Sequence, residues 1–143
     1  MQKIIQHEFK FQHSPALVWE YLTDPELLAE WLMPNDFKPL VGHHFHFKTK
    51  PKINFGFDGT VYCEVLEIIP FQKLVYSWKG GMSKEKPGLD SIVTWILEPM
   101  DGGTLLKLEH AGFDGFRNYF PYLVMNKGWI KIGKRFIKNI KPV

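Results

Sequence analysis

MNKGWIKIGKRFIKNI, residues 125–140, is the stretch around which the rest of the chain must be arranged. Its apolar residues Met125, Trp129, Ile132, Phe136 and Ile140 are spaced 4, 3, 4 and 4, which places them in one stripe along an α-helix. Ile130 and Ile137 widen that stripe to one side, and the basic residues fall mostly on the opposite face. Pro121 suits the opening of this helix, since proline fits a first turn. A helix with one greasy face needs a partner layer to cover it. Gly128 and Gly133 each cost about 1 kcal/mol relative to alanine inside a helix, so both are expected where the helix approaches another element closely.

The partner layer is upstream. Ile4–Phe11 alternates, with Ile5, His7, Phe9 and Phe11 on one face, the mark of a strand. Ser14-Pro15 starts a short helix with a serine cap and proline at its first position, and Leu17, Val18, Tyr21 and Leu22 give it an apolar face. Thr23-Asp24-Pro25 restarts the chain into a second helix bearing Leu27, Leu28, Trp31 and Leu32, and Pro34 stops it. Strands follow at Phe45 and Phe47, at Thr60–Ile69 after Gly56 and Gly59, at Lys73–Lys79, around Val93, Trp95 and Leu97, and around Leu106, Leu108 and His110. Gly80–Asp90 and Gly112–Asn118 read as loops, and Asp101-Gly102-Gly103 as a hairpin turn. Short turns between strands imply an antiparallel sheet. The expected architecture is α+β: a curved antiparallel sheet wrapped around the long C-terminal helix, with two short helices closing one end, in a single domain spanning residues 1–143.

Composition narrows the function. Aromatic residues make up 15% of the 143 residues, enough ring surface to line a cavity as well as fill a core. Cys63 is the one cysteine, so no intrachain disulfide forms, and its place beside Val61 and Val65 suggests an inert buried thiol. The first residues are too polar for a secretory leader, and no run is long enough to span a membrane. A cytoplasmic protein with no integral membrane association is expected. Lys127, Lys131, Lys134, Arg135, Lys138 and Lys141 place six positive charges between 127 and 141 with no acid among them. Removing these six from the 18 basic residues leaves 12 against 15 acids, or −3, on the rest of the chain. The basic face lacks the interleaved aromatics of nucleic-acid surfaces, so no nucleic-acid partner is expected.

The ordered words of the sequence resemble a known family. SPALVW (14–19) with Thr23-Asp24-Pro25 and Trp31, VGHHFHF (41–47), EVLEI (64–68) with Pro70, LVYSW (74–78), VTWILEP (93–99), GGTLLKLEH (102–110), GF (112–113) and GW (128–129) together resemble the activator-of-heat-shock-ATPase-like branch of the START/SRPBCC helix-grip superfamily. That resemblance implies the helix-grip fold and a cavity between sheet and helix. Relatives include lipid and polyketide binders, cyclases, and a co-chaperone of the heat-shock ATPase in which another domain precedes this one. In that family Trp31 is usually followed by a second tryptophan; Leu32 stands here.

Chemistry-bearing residues are few. His44 and His46 share the face opposite Phe45 and Phe47, so they point to solvent if the phenylalanines point inward. Zinc-ligand spacing, nucleophile elbows and phosphate loops are missing, and no metal, cofactor or catalytic residue is assigned. Glu64 and Glu67 fall on opposite strand faces, which would turn one inward. His110 continues the inward phase of Leu106 and Leu108, where it would act as a hydrogen-bonded structural group, a ligand anchor or, with a partner, a general base. Tyr76, Trp78 and Trp95 bring three polar ring atoms to one inward face, which a cavity satisfies more readily than a dry core. The expected function is non-catalytic binding of a small apolar molecule, of lipid, polyketide or flavonoid type. The wall is expected from Trp31, Phe45, Phe47, Tyr76, Trp78, Trp95, Leu108, His110, Phe113, Met125 and Trp129. A cyclase- or dehydratase-like enzyme and a chaperone-associated regulator in the stress response are the alternatives.

Overall fold

The computed structural model describes residues 2–48, 60–81, 87–114 and 119–141. The elements run β1 (Gln2–Phe11), α1 (Pro15–Thr23), α2 (Pro25–Trp31), β2 (His44–Lys48), β3 (Thr60–Ile69), β4 (Lys73–Gly81), β5 (Pro87–Met100), β6 (Gly103–Asp114) and α3 (Tyr119–Asn139). Both short helices are capped as their sequences dictate. Ser14 Oγ accepts the Leu17 N–H at 3.2 Å, and Asp24 Oδ1 accepts those of Glu26 and Leu27 at 2.9 and 3.2 Å.

Six strands form one sheet in the order β1-β6-β5-β4-β3-β2, and every neighbouring pair is antiparallel. Strands β2 to β6 follow one another as a meander, and β1 closes on β6. The free edge of β2 is covered by the segment after α2: Asn35 bridges Phe47, the Lys48 N–H reaches Pro34 O at 3.0 Å, and the His46 N–H reaches Asp36 Oδ1 at 2.6 Å. That cover removes a row of unpaired backbone groups from the sheet edge. The inward faces of all six strands and of α1, α2 and α3 contribute to one buried apolar cluster.

Four details differ from the sequence reading. Leu89 and Asp90 already belong to β5, and Gly112 belongs to β6, so the strands flanking the two expected loops are longer than predicted; residues 82–86 and 115–118, as well as Gly56 and Gly59, lie outside the described residues. Helix α3 begins at Tyr119, ahead of Pro121. A bulge between Val65 and Glu67 resets the phase of β3, so both Glu64 and Glu67 face outward, beside His44 at 3.9 Å and Lys73 at 3.3 Å. The two helix glycines also diverge. A Cβ on Gly133 would collide with the Phe9 ring, as close packing requires, whereas one on Gly128 would meet nothing within 4 Å.

Candidate functional site

Ten of the eleven expected wall residues are buried to 3% exposure or less, and Met125 is half-buried. The inward phase of each element places them: Trp31 in α2, Phe45 and Phe47 in β2, Tyr76 and Trp78 in β4, Trp95 in β5, Leu108, His110 and Phe113 in β6, and Met125 and Trp129 in α3. Their rings touch in series. Phe45 meets Phe47 at 5.4 Å, Phe47 meets Trp78 at 5.4 Å, Trp78 meets Trp129 at 5.3 Å, Trp129 meets Trp95 at 5.5 Å, and Trp95 meets Trp31 at 5.8 Å. These contacts are tilted or edge-on, the arrangement favoured by aromatic quadrupoles.

Several polar atoms of this wall satisfy one another. The Trp129 indole N–H donates to His110 Nδ1 at 2.9 Å. That fixes the tautomer: Nδ1 is the acceptor, so Nε2 carries the hydrogen and donates to Ser91 Oγ at 2.7 Å. Ser91 donates its own hydrogen to the Trp78 carbonyl at 2.7 Å. The sheet register builds this chain, since Val93 lies opposite His110 and Ser91 opposite Trp78. Burial pushes the His110 imidazole down to about 3 from the ordinary 6.5, so it is neutral at physiological pH. This direction of hydrogen bonding is the reverse of what a general base needs toward a serine. Among the described residues no carboxylate or second histidine reaches His110, so the partner that a cyclase-like reading requires is not assembled there.

A second pair is less complete. The Trp95 indole N–H donates to the Tyr76 hydroxyl at 2.9 Å. Tyr76 is 1% exposed, and its own O–H has no acceptor among the described residues. Burial pushes this phenol far above its ordinary range, so it stays a neutral donor. Cys63, in β3, is likewise pushed far up by burial and remains a thiol. The outward histidines serve locally. His46 Nδ1 lies 3.3 Å from Asp36 Oδ2 and His43 Nε2 lies 3.0 Å from Asp36 O, which pins the edge cover onto β2.

Sequence reasoning missed Ser91, Phe37 and Phe136. Ser91 was legible, because it keeps the inward phase of Val93, Trp95 and Leu97. Phe37 was not, since it sits outside any periodic segment, yet it is 1% exposed and packs edge-on to Phe45 at 5.0 Å. Phe136 belongs to the helix stripe, and the structure stacks it on Trp31 at 4.0 Å and against Phe11 at 4.6 Å.

A sheet gripping a C-terminal helix is an arrangement shared with known proteins. The family model described as Activator of Hsp90 ATPase homolog 1-like protein matches residues 12–140. The chain belongs to that family. The solved structure of MLL2253 from Mesorhizobium loti is 34% identical, with 95% of each chain covered and a TM-score of 0.82. The Aha1 dimer from Colwellia psychrerythraea is 17% identical, with 96% of each chain covered and a TM-score of 0.75. DynU16, a protein of the dynemicin biosynthetic locus, is 20% identical with a TM-score of 0.76; 94% of this chain covers 46% of that one. At such identities the last two show the shared fold alone. No curated protein matches the sequence. Among the described residues, no helix of this family member is long and apolar enough to cross a membrane.

Proposed function

We propose that this protein binds a small, mostly apolar molecule between the sheet and the first half of α3, without catalysis, and that Tyr76 rather than His110 is its polar anchor. The observation that carries the reading is the spare hydrogen of the Tyr76 hydroxyl inside an aromatic wall. A buried donor without an acceptor costs roughly 1–3 kcal/mol, and a ligand carbonyl, ether or hydroxyl oxygen would remove that cost. His110 has both nitrogens committed, which argues against it as an anchor. Entry beside α3 is supported by the open space at Gly128, with half-buried Met125 and Ile132 one turn to either side. Apolar walls with few polar groups are the usual make-up of small-molecule sites. Family membership agrees with ligand binding, and DynU16, which shares the fold, comes from a biosynthetic locus.

The test is an NMR shift screen of fatty acids, flavonoids and aromatic polyketides, preceded by mass spectrometry of whatever copurifies. Binding is expected to shift the indole signals of Trp78, Trp95 and Trp129. Tyr76→Phe is expected to weaken an oxygen-bearing ligand by roughly threefold to tenfold, one hydrogen bond's worth, and to leave a pure hydrocarbon unaffected. A screen that moves none of those signals would end the reading.

A further inference from the structure

The outer face of α3 carries an ordered surface that the interior site does not use. Leu123, Ile130 and Ile137 recur every seven residues and are 40%, 39% and 42% exposed. At 3.6 residues per turn they form one nearly straight line along the helix. The next row round the helix is Lys127, Lys134 and Lys141, also spaced by seven, and the row after that is Lys131 and Lys138. All five lysines are exposed, and none forms an ion pair among the described residues. No acidic residue occurs anywhere in the helix.

We infer that this face of α3 docks on an anionic lipid bilayer, lying in the plane of the interface with Leu123, Ile130 and Ile137 dipping below the headgroups and the lysine rows against their phosphates. Three features favour a bilayer. The charge is of one sign over the full helix, which suits a surface of the opposite sign. The aliphatic line runs directly beside the cations, so long lysine stems can lie on the apolar boundary while their ammonium groups reach phosphate. The face is a convex helix ridge, which a deformable bilayer accepts without a matching groove. Nucleic acid is disfavoured because the ridge has no aromatic side chain for base stacking. The helix is too polar to span the membrane, so the association is peripheral. This inference does not rest on the interior ligand: it concerns the exposed side of the helix.

The experiment is cosedimentation of the purified chain with vesicles of phosphatidylcholine alone and of phosphatidylcholine with about one third phosphatidylglycerol, at low and physiological salt. Binding is expected to the anionic vesicles only, and to weaken as salt rises. Each lysine near the surface is worth about fivefold in affinity, so K131Q/K134Q/K138Q is expected to bind about a hundredfold more weakly. The paired change Ile130→Ser with Ile137→Ser is expected to weaken binding at high salt more than at low salt. Circular dichroism confirms that each variant is folded, which the exposed positions favour. No binding to anionic vesicles at low salt overturns the inference. So does binding that the lysine variant leaves unchanged, or equal binding to neutral vesicles. Capture on immobilised polyglutamate with no vesicle binding overturns it in favour of an acidic polypeptide.

Discussion

Between Gly133 and Ile140, helix α3 is clasped by rings from β1 and α2 and by a hydrogen bond to α2; between Tyr122 and Gly128 it is held by the His7–Asn126 hydrogen bond at 2.9 Å and the Phe113–Tyr122 ring contact at 5.8 Å. In the second half, the Phe9 ring fills the place of a side chain on Gly133, Phe136 stacks on Trp31 and packs on Phe11, and Asn139 donates to Glu30 O at 3.1 Å. In the first half, Tyr122 and Met125 are half-buried, Val124 is exposed, and Gly128 faces open space. Trp129 stands at the junction: it is fully buried and tied through His110 to the sheet. Among the described residues, the C-terminal half packs its rings tightly, and the first half has space for a methyl group at Gly128.

The strongest change breaks the clasp. Phe136→Ala should cost about 3–5 kcal/mol, as large core truncations do, while Met125→Ala in the looser half should cost under about 1.5 kcal/mol, below the usual range for a fully buried methionine. Urea unfolding of both variants measures the contrast, and equal losses would mean that the two halves are packed alike.

Next comes the junction. His110 titrates near 3 in the folded protein against 6.5 unfolded, so the unfolded chain binds the extra proton first as pH falls. Its contribution to stability is therefore complete above about pH 6.5 and drains away between there and pH 3, by on the order of 5 kcal/mol in all. Thermal melts across that range should show wild-type stability falling with acid, and His110→Gln should flatten the fall. A variant with the same slope as wild type would remove His110 as the cause.

The two glycines give smaller effects of opposite sign and compare the halves most directly. Gly133→Ala should destabilise by about 1–3 kcal/mol, because the new methyl group meets the Phe9 ring. Gly128→Ala should stabilise by about 0.5–1 kcal/mol, since it gains helix propensity and meets nothing. It should also weaken an apolar ligand that enters beside the helix. A destabilised Gly128→Ala would show that this side of α3 is filled.

Much of this was legible in the order of residues. The stripe from Met125 to Ile140, the caps at Ser14 and Asp24, and the alternation through Phe45, Tyr76, Trp95 and Leu108 each follow from local periodicity. Periodicity depends only on neighbours along the chain, so it gave element types, inward faces and the helix-grip class. It could not give cross-strand partners. Tyr76, Trp78 and Trp95 read as three polar ring atoms in need of water or ligand. Two of them instead pair with each other, Trp95 donating to Tyr76, while the Trp78 ring packs edge-on to His110 at 5.6 Å.

Which faces are apolar, where helices start, and that His110 points inward all follow from the residues alone, because each is set by side-chain chemistry at fixed chain spacing. That His110 is spent on Trp129 and Ser91, that the Tyr76 O–H meets no acceptor among the described residues, and that Gly133 is crowded while Gly128 is open among them depend on the folded arrangement. Those outcomes depend on which atoms from distant segments arrive within about 3 Å of each other, and that distance is fixed only when the sheet closes on the helix.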